Sequence, residues 1–154
     1  MTTLFVGFKG INNSSRLVLS KLNAVNKLYL ENNKIALCQQ ISNILTKNTY
    51  DRIIMLGQKP LLKNKVSLEL KAYKENQEIE TNYSLTNLYD TLKNHNIIFK
   101  VSFNPGTSFC NCAYFHTLSL IKNMKLNTET IFIHIPYISN FENIEKFIAF
   151  LENL

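Results

Sequence analysis

Arg52–Leu56 (RIIML) is apolar at every position after the first and stops at Gly57. A run this short and unbroken fits a strand buried on both faces, as in a parallel sheet, and helices must then cover each side. The rest of the chain supplies the pattern. Strand-like segments are read at Leu4–Phe8 (LFVGF), Leu28–Leu30, Val66–Tyr73, Ile97–Val101 and Thr130–Ile135, the last stopped by Pro136. Between them fall helix-like segments. RLVLSKL follows the cap candidates Asn13, Ser14 and Ser15. A second helix, capped at Asn32 or Asn33, carries Leu37, Ile41, Ile44 and Leu45 as one stripe. Ser84 caps LTNLYDTLKNH, and Phe109–Asn123 and Phe141–Leu151 follow. The polar tract KENQEIETNYS reads as a loop. This alternation predicts an α/β fold, a three-layer α/β/α sandwich around a largely parallel or mixed sheet. With no repeat or linker in sight, residues 1–154 are expected to form one domain.

Composition narrows the partners. The net charge is +6, but the lysines are spread along the chain and the only arginines are Arg16 and Arg52. Arginine is the preferred reader of bases and phosphates, so no nucleic-acid partner is expected. No apolar run reaches the roughly 18 residues of a membrane span. The N-terminus MTTLFVGFKG lacks a basic leader and its apolar stretch is broken by Gly7, Lys9 and Gly10, so a cytoplasmic location is expected. Cys38, Cys110 and Cys112 cannot all pair within one chain, and the spacing of the last two is not that of a CxxC metal or redox motif.

In open α/β sheets the site lies beyond the C-terminal ends of the strands. That directs attention to the loops after Leu56, Val101 and Ile135. The second, NPGTSFCNC, delivers Cys110 to the first turn of a helix. Free backbone N–H groups and the positive dipole end there stabilise a thiolate, so the thiol pKa is expected to fall, and the same N–H groups could hold an oxyanion. A small packing cysteine is the commoner outcome for such a residue. His134, at the end of its strand and on the face of Phe132, is placed to act as a general base, although a core histidine is the blander account. Glu69 could orient an imidazole; on its own it reads as a solvated strand residue. Cys112 and Cys38 read as packing residues, His95 as a residue at a helix C-terminus, and His116 as a partly exposed flank residue.

These residues resemble the pyroglutamyl peptidase (pyrrolidone-carboxylate peptidase) family. Its nucleophile motif, a serine, two residues, Ala-Gly, three residues, Cys-Asn, then a tyrosine four beyond the cysteine, is matched by SFNPGTSFCNCAY at Ser102, Gly106, Cys110, Asn111 and Tyr114, with Pro105 for alanine. The FIHxP strand is matched by Phe132, Ile133, His134 and Pro136. The segment Leu56-Gly57-Gln58 followed by VSLEL puts Glu69 on the family's acid, and Gly7-Phe8 matches the end of its first strand. The resemblance spans nearly the whole chain of a shortened, divergent member. It implies a cysteine exopeptidase that removes N-terminal pyroglutamate through a thioester, with Cys110 as nucleophile, His134 as base, Glu69 as orienting acid and no metal or cofactor. Phe8, Asn13, Gln58 and Phe109 are the substrate-binding candidates on that reading. The departures sit around the substrate: a second clamping phenylalanine has no match beyond Ile11, the arginine after the acid is Leu70, and a further arginine has no counterpart in ENQEIET.

Three readings follow. The first is a pyroglutamyl peptidase, with peptide as partner and homo-oligomerisation left open by the family's habit of associating. The second is a cysteine amidase for another small amide. The third is a non-catalytic relative that binds a peptide or small ligand.

Overall fold

Strands that are apolar on both faces need two helical layers, and both are present in the computed structural model, which describes all 154 residues. The elements in chain order are β1 (Thr3–Phe8), α1 (Ser14–Lys21), β2 (Lys27–Leu30), α2 (Lys34–Lys47), β3 (Arg52–Gln58), β4 (Val66–Glu69), β5 (Lys71–Lys74), β6 (Gln77–Glu80), α3 (Leu85–Asn94), β7 (Phe99–Ser102), α4 (Phe109–Asn123), β8 (Glu129–Ile135) and α5 (Ile144–Glu152). Six strands form one sheet in the order β2-β1-β3-β8-β4-β7. Helices α1, α3 and α5 cover the face that carries Ile54, Leu56, Leu68, Ile131 and Ile133. Helices α2 and α4 cover the face of Leu4, Val6, Ile53, Met55 and Phe132. The expected α/β/α layering is therefore present. No helix is long and apolar enough to cross a membrane.

The helix starts follow local chemistry. Asn13 caps α1 by accepting the Ser15 N–H, and Asn33 caps α2 by accepting the Ala36 N–H. Ser84 stands at the start of α3 without a side-chain cap bond; its own N–H donates to Glu129 Oε1 at 3.0 Å.

The sheet is mixed, and this relocates one loop. β1, β2, β3 and β8 run parallel, β4 is antiparallel to β8, and β7 is parallel to β4. The chain after Val101 thus leaves a strand that points the other way. β7 ends with Ser102 opposite Glu69, and Glu69 lies opposite Phe132, two residues short of His134. The segment Phe103–Ser108 carries the chain back to the C-terminal end of β3, where α4 begins.

The single alternating strand expected over Val66–Tyr73 is two. Val66, Leu68 and Leu70 belong to one core and Ala72 to the other. The switch falls at Leu70, which bonds the Ser102 carbonyl with its N–H and the Thr81 N–H with its carbonyl. Beyond it, β5 pairs with β6 as an antiparallel hairpin. The tract KENQEIETNYS is thus partly strand. Its polarity suits an exposed hairpin that buries only one side against α4, with the turn made by Glu75 at a φ of 53°. The terminal helix starts at Ile144, later than expected; Phe141 is buried just ahead of it, after a short 3-10 turn at Ile138–Asn140.

Candidate functional site

The antiparallel pairing of β4 with β8 brings the first two candidate residues together. Ser67 stands opposite His134 and Glu69 opposite Phe132, so Glu69 and His134 are diagonal neighbours on one face. His134 Nδ1 lies 2.7 Å from Glu69 Oε1. Both side chains are buried, Glu69 completely, contrary to its reading as a solvated strand residue. β4 is an interior strand under α4, which is why its polar positions see no solvent. Ser67 Oγ donates to the same Oε1 at 3.1 Å, and Tyr114 Oη donates to the Glu69 main-chain carbonyl at 2.9 Å. Oε2 is buried with no protein partner. A carboxylate on Nδ1 fixes the imidazole tautomer and leaves Nε2 free to exchange a proton.

Cys110 reaches this face through a gap in β3. Gly57 is the register partner of His134. A β-carbon on Gly57 would stand 2.7 Å from Cys110 Sγ and 2.7 Å from Phe132 Cζ. The absence of a side chain at Gly57 is what admits the thiol and the ring together. The Phe132 ring lies 4.9 Å from the imidazole and 5.6 Å from Tyr114, centroid to centroid. No hydrogen bond joins Cys110 to His134 in this resting arrangement.

The polar loop ahead of Cys110 is held by its own side chains. Ser102 Oγ bonds both the N–H and the carbonyl of Asn104 at 3.2 Å, and the Gly106 N–H donates to Asn104 Oδ1 at 3.0 Å. Gly106 has a φ of 90°, a conformation that favours glycine. Ser108 offers no side-chain cap to α4, whose first helical bond runs from the Cys112 N–H to the Ser108 carbonyl. The N–H groups of Phe109, Cys110 and Asn111 precede it and have no helical partner. Asn111 instead anchors the turn from its side chain: Oδ1 accepts the Tyr73 N–H at 2.9 Å and Nδ2 donates to the Tyr73 carbonyl at 2.8 Å.

The expected fall in the thiol pKa does not occur. Burial pushes the Cys110 thiol up to about 12, and the charge of Glu69 adds to the rise; a backbone hydrogen bond at Cys110 itself offsets only part of it. Desolvation outweighs the helix terminus because the sulfur points inward, against Gly57 and Phe132.

The four remaining candidates lie around the start of α1 and α4. Phe8 is 3% exposed and packs in the core beneath α2 and α4. Phe109 is partly buried against the same core. Asn13 Oδ1 takes both the N–H and the hydroxyl of Ser15. Gln58 Oε1 takes both the N–H and the hydroxyl of Ser14, each at 2.9 Å. Ser15 Oγ in turn accepts the Phe8 N–H at 3.0 Å. These bonds lace the end of β1, the start of α1 and the end of β3 together. A cavity of about 730 Å³ lies on the outer flank of α4 and is lined by none of the seven candidate residues.

Sequence reasoning gave no role to Gly57, Ser67, Asn111 or Tyr114 beyond the motif matches. A glycine inside a buried strand signals close approach of another group, and Ser67 shares the face of Glu69 two residues on.

The fold and this face define an α/β/α protein with a cysteine at a helix start beside a buried histidine–carboxylate pair. The sequence model of one family, described as pyroglutamyl peptidase, matches residues 77–147, a span that holds Cys110 and His134 and begins after Glu69. No curated protein matches the sequence. Among solved structures, the pyrrolidone carboxyl peptidase of Thermococcus litoralis superposes with a TM-score of 0.84 at 19% identity, covering 99% of this chain and 90% of that one. Pyroglutamyl peptidase I of Bacillus amyloliquefaciens gives 0.86 at 17% identity, with 97% and 92% covered. The pyrrolidone carboxyl peptidase of Thermus thermophilus gives 0.83 at 16%, with 99% and 100% covered. At these identities the structural likeness is one of fold. The family model matches less than half of the chain, so the comparisons show a likeness to pyroglutamyl peptidases over residues 77–147 and in the fold.

Proposed function

We propose that the chain is a single-domain cysteine exopeptidase that removes N-terminal pyroglutamate from peptides. The observation that carries the reading is the buried Glu69–His134 hydrogen bond at 2.7 Å with Cys110 Sγ lodged against Gly57, the neighbour of that histidine. The family match and fold support the substrate class.

On this reading Cys110 is a thiol at rest, and His134 takes its proton only as sulfur attacks the scissile carbonyl. Glu69 holds the imidazole tautomer and stabilises the imidazolium that forms. The unpartnered N–H groups at the start of α4 receive the developing oxyanion. His134 then gives its proton to the leaving amine as the C–N bond breaks, leaving a thioester on Cys110. Water, deprotonated by His134, cleaves the thioester, releases pyroglutamate and restores the thiol. Phe109, only partly buried, is the apolar residue open to the ring site, while Phe8 lies within the core. Asn13 and Gln58 act mainly through the loop they hold, because their side-chain oxygens are already occupied by Ser15 and Ser14.

The test is hydrolysis of a pyroglutamyl-linked fluorogenic amide by the wild type and by Cys110→Ala. Turnover that disappears in the variant is expected; a wild type no faster than buffer overturns the reading. A second reading, a cysteine amidase for a different small amide, draws on one observation: Phe8 is buried rather than lining an open slot. It predicts a Cys110-dependent activity on simple amides with none on the pyroglutamyl substrate.

A further inference from the structure

The other two cysteines meet on the outer side of α4. Cys112 faces Cys38 of α2 with the sulfurs 3.9 Å apart, although 74 residues separate them in the chain. Both residues are partly exposed, and both line the cavity of about 730 Å³ on this flank. We propose that Cys38 and Cys112 form a redox-active dithiol that closes to a disulfide by exchange with a small anionic disulfide of the glutathione type.

Three features carry the inference. The sulfurs already stand 3.9 Å apart, so closing the bond to about 2.05 Å takes a movement of about 2 Å. The cavity gives a reagent access to both sulfurs, which a merely packed pair would lack. Lys34 and Lys74 stand on its wall against the one acidic residue there, Glu75, so the site favours an anionic reagent. Lys74 also works to lower the Cys38 thiol, although burial and the neighbouring Cys112 together hold it up at about 11. Cys112 stands in the first turn of α4, where the helix start favours a thiolate, and is assigned as the entering thiol, with Cys38 as the resolving one. Cys110 cannot substitute for either: two residues along a helix place it about 200° around the axis from Cys112, facing the sheet.

The chemistry balances without a further reactant. The Cys112 thiolate attacks one sulfur of the small disulfide, forming a mixed disulfide and expelling one thiolate. The Cys38 thiolate then attacks Cys112 Sγ, expelling the second. Two protein thiols are oxidised and one disulfide is reduced to two thiols. The product staples α2 to the turn of α4 that follows the candidate nucleophile.

The inference is independent of the proposed activity, and so is its test. In Cys110→Ser, Cys38 and Cys112 are the only thiols. The folded variant is incubated with glutathione disulfide, quenched in acid and read by intact mass and non-reducing peptide mapping, with the linkage peptide also sought in the wild type. Expected are a monomer lighter by two hydrogens, no free thiol, and one peptide joining Cys38 to Cys112. The double variant Cys38→Ala/Cys110→Ser is expected to stop at a mixed disulfide on Cys112. Two free thiols after incubation, stable mixed disulfides in place of the linkage, chain-to-chain linkage alone, or an unmodified Cys112 in the double variant would each overturn the proposal.

Discussion

Replacing Gly57 by alanine tests how the site is packed. The new methyl would lie 2.7 Å from Cys110 Sγ, 2.7 Å from Phe132 Cζ and 2.8 Å from Phe132 Cε1. Ordinary contacts at these atoms are about 3.5–4.0 Å, so the overlap is on the order of 1 Å. The thiol can swing aside about one bond. The Phe132 ring cannot: it is fully buried between Tyr114 and His134. Overpacking a filled core costs about 1–3 kcal/mol, and the pinned ring puts this site toward the upper end. For a chain of this length that is a fall in Tm of about 4–10 °C. Differential scanning calorimetry reads the stability. Alkylation of Cys110 in a Cys38→Ala/Cys112→Ala background reads the displaced sulfur, which should react several-fold faster. Gly10→Ala is the control, since its nearest neighbour would be 3.4 Å away, an ordinary contact; it should stay within about 0.5 kcal/mol of wild type. Adding Phe132→Leu to Gly57→Ala should relieve part of the clash, so the two costs should fall short of additivity by about 1 kcal/mol. An unchanged Tm and alkylation rate in Gly57→Ala would refute the reasoning.

Three further outcomes follow from the same geometry. Glu69→Gln removes the charge opposite His134 Nδ1 while keeping its shape, so kcat on a pyroglutamyl amide should fall by about 10²–10⁴-fold; a change within about threefold would show that the carboxylate does not act through the histidine. Tyr114→Phe deletes the buried hydroxyl that bonds the Glu69 carbonyl and should cost about 1–2 kcal/mol by urea titration, against no loss if that bond is dispensable. The Cys110 thiol is held up at about 12 and Cys38 at about 11, both above the unfolded value of 9.0. The folded protein keeps these protons longer than the unfolded chain, so their contribution is full below pH 9 and is lost as pH rises toward 11–12. Guanidinium midpoints should fall over that window, and less steeply in Cys38→Ala/Cys110→Ala; parallel curves would contradict the assignment.

The sequence made the layers legible because their signals are local. RIIML and TIFIHI are continuous strands, and the Asn13 and Asn33 caps follow from side chains within a turn of the backbone. What it concealed is non-local. The direction of β4 depends on how residues 59–65 turn the chain between β3 and β4, and a period-two pattern reads the same in either direction. That direction decides the site, since a parallel β4 would not give Glu69 and His134 this diagonal pairing. Glu69 looked solvated because alternation reports polarity but does not reveal that α4 lies over it. The raised thiol has the same origin: the sequence shows a helix start, while only the fold shows that Sγ points into the gap at Gly57. The residues supporting Glu69, Ser67 beside it and Tyr114 on α4, have the same non-local character.

The central claim is that Cys110 attacks a pyroglutamyl carbonyl with His134 as its base. The most direct test mixes the protein with excess pyroglutamyl amide, quenches in acid within the first turnovers, and weighs the peptide that contains Cys110. The account predicts a pyroglutamyl thioester on Cys110 in the wild type and none in His134→Ala. An unmodified Cys110 alongside released pyroglutamate, or a thioester that forms equally well without His134, would contradict it.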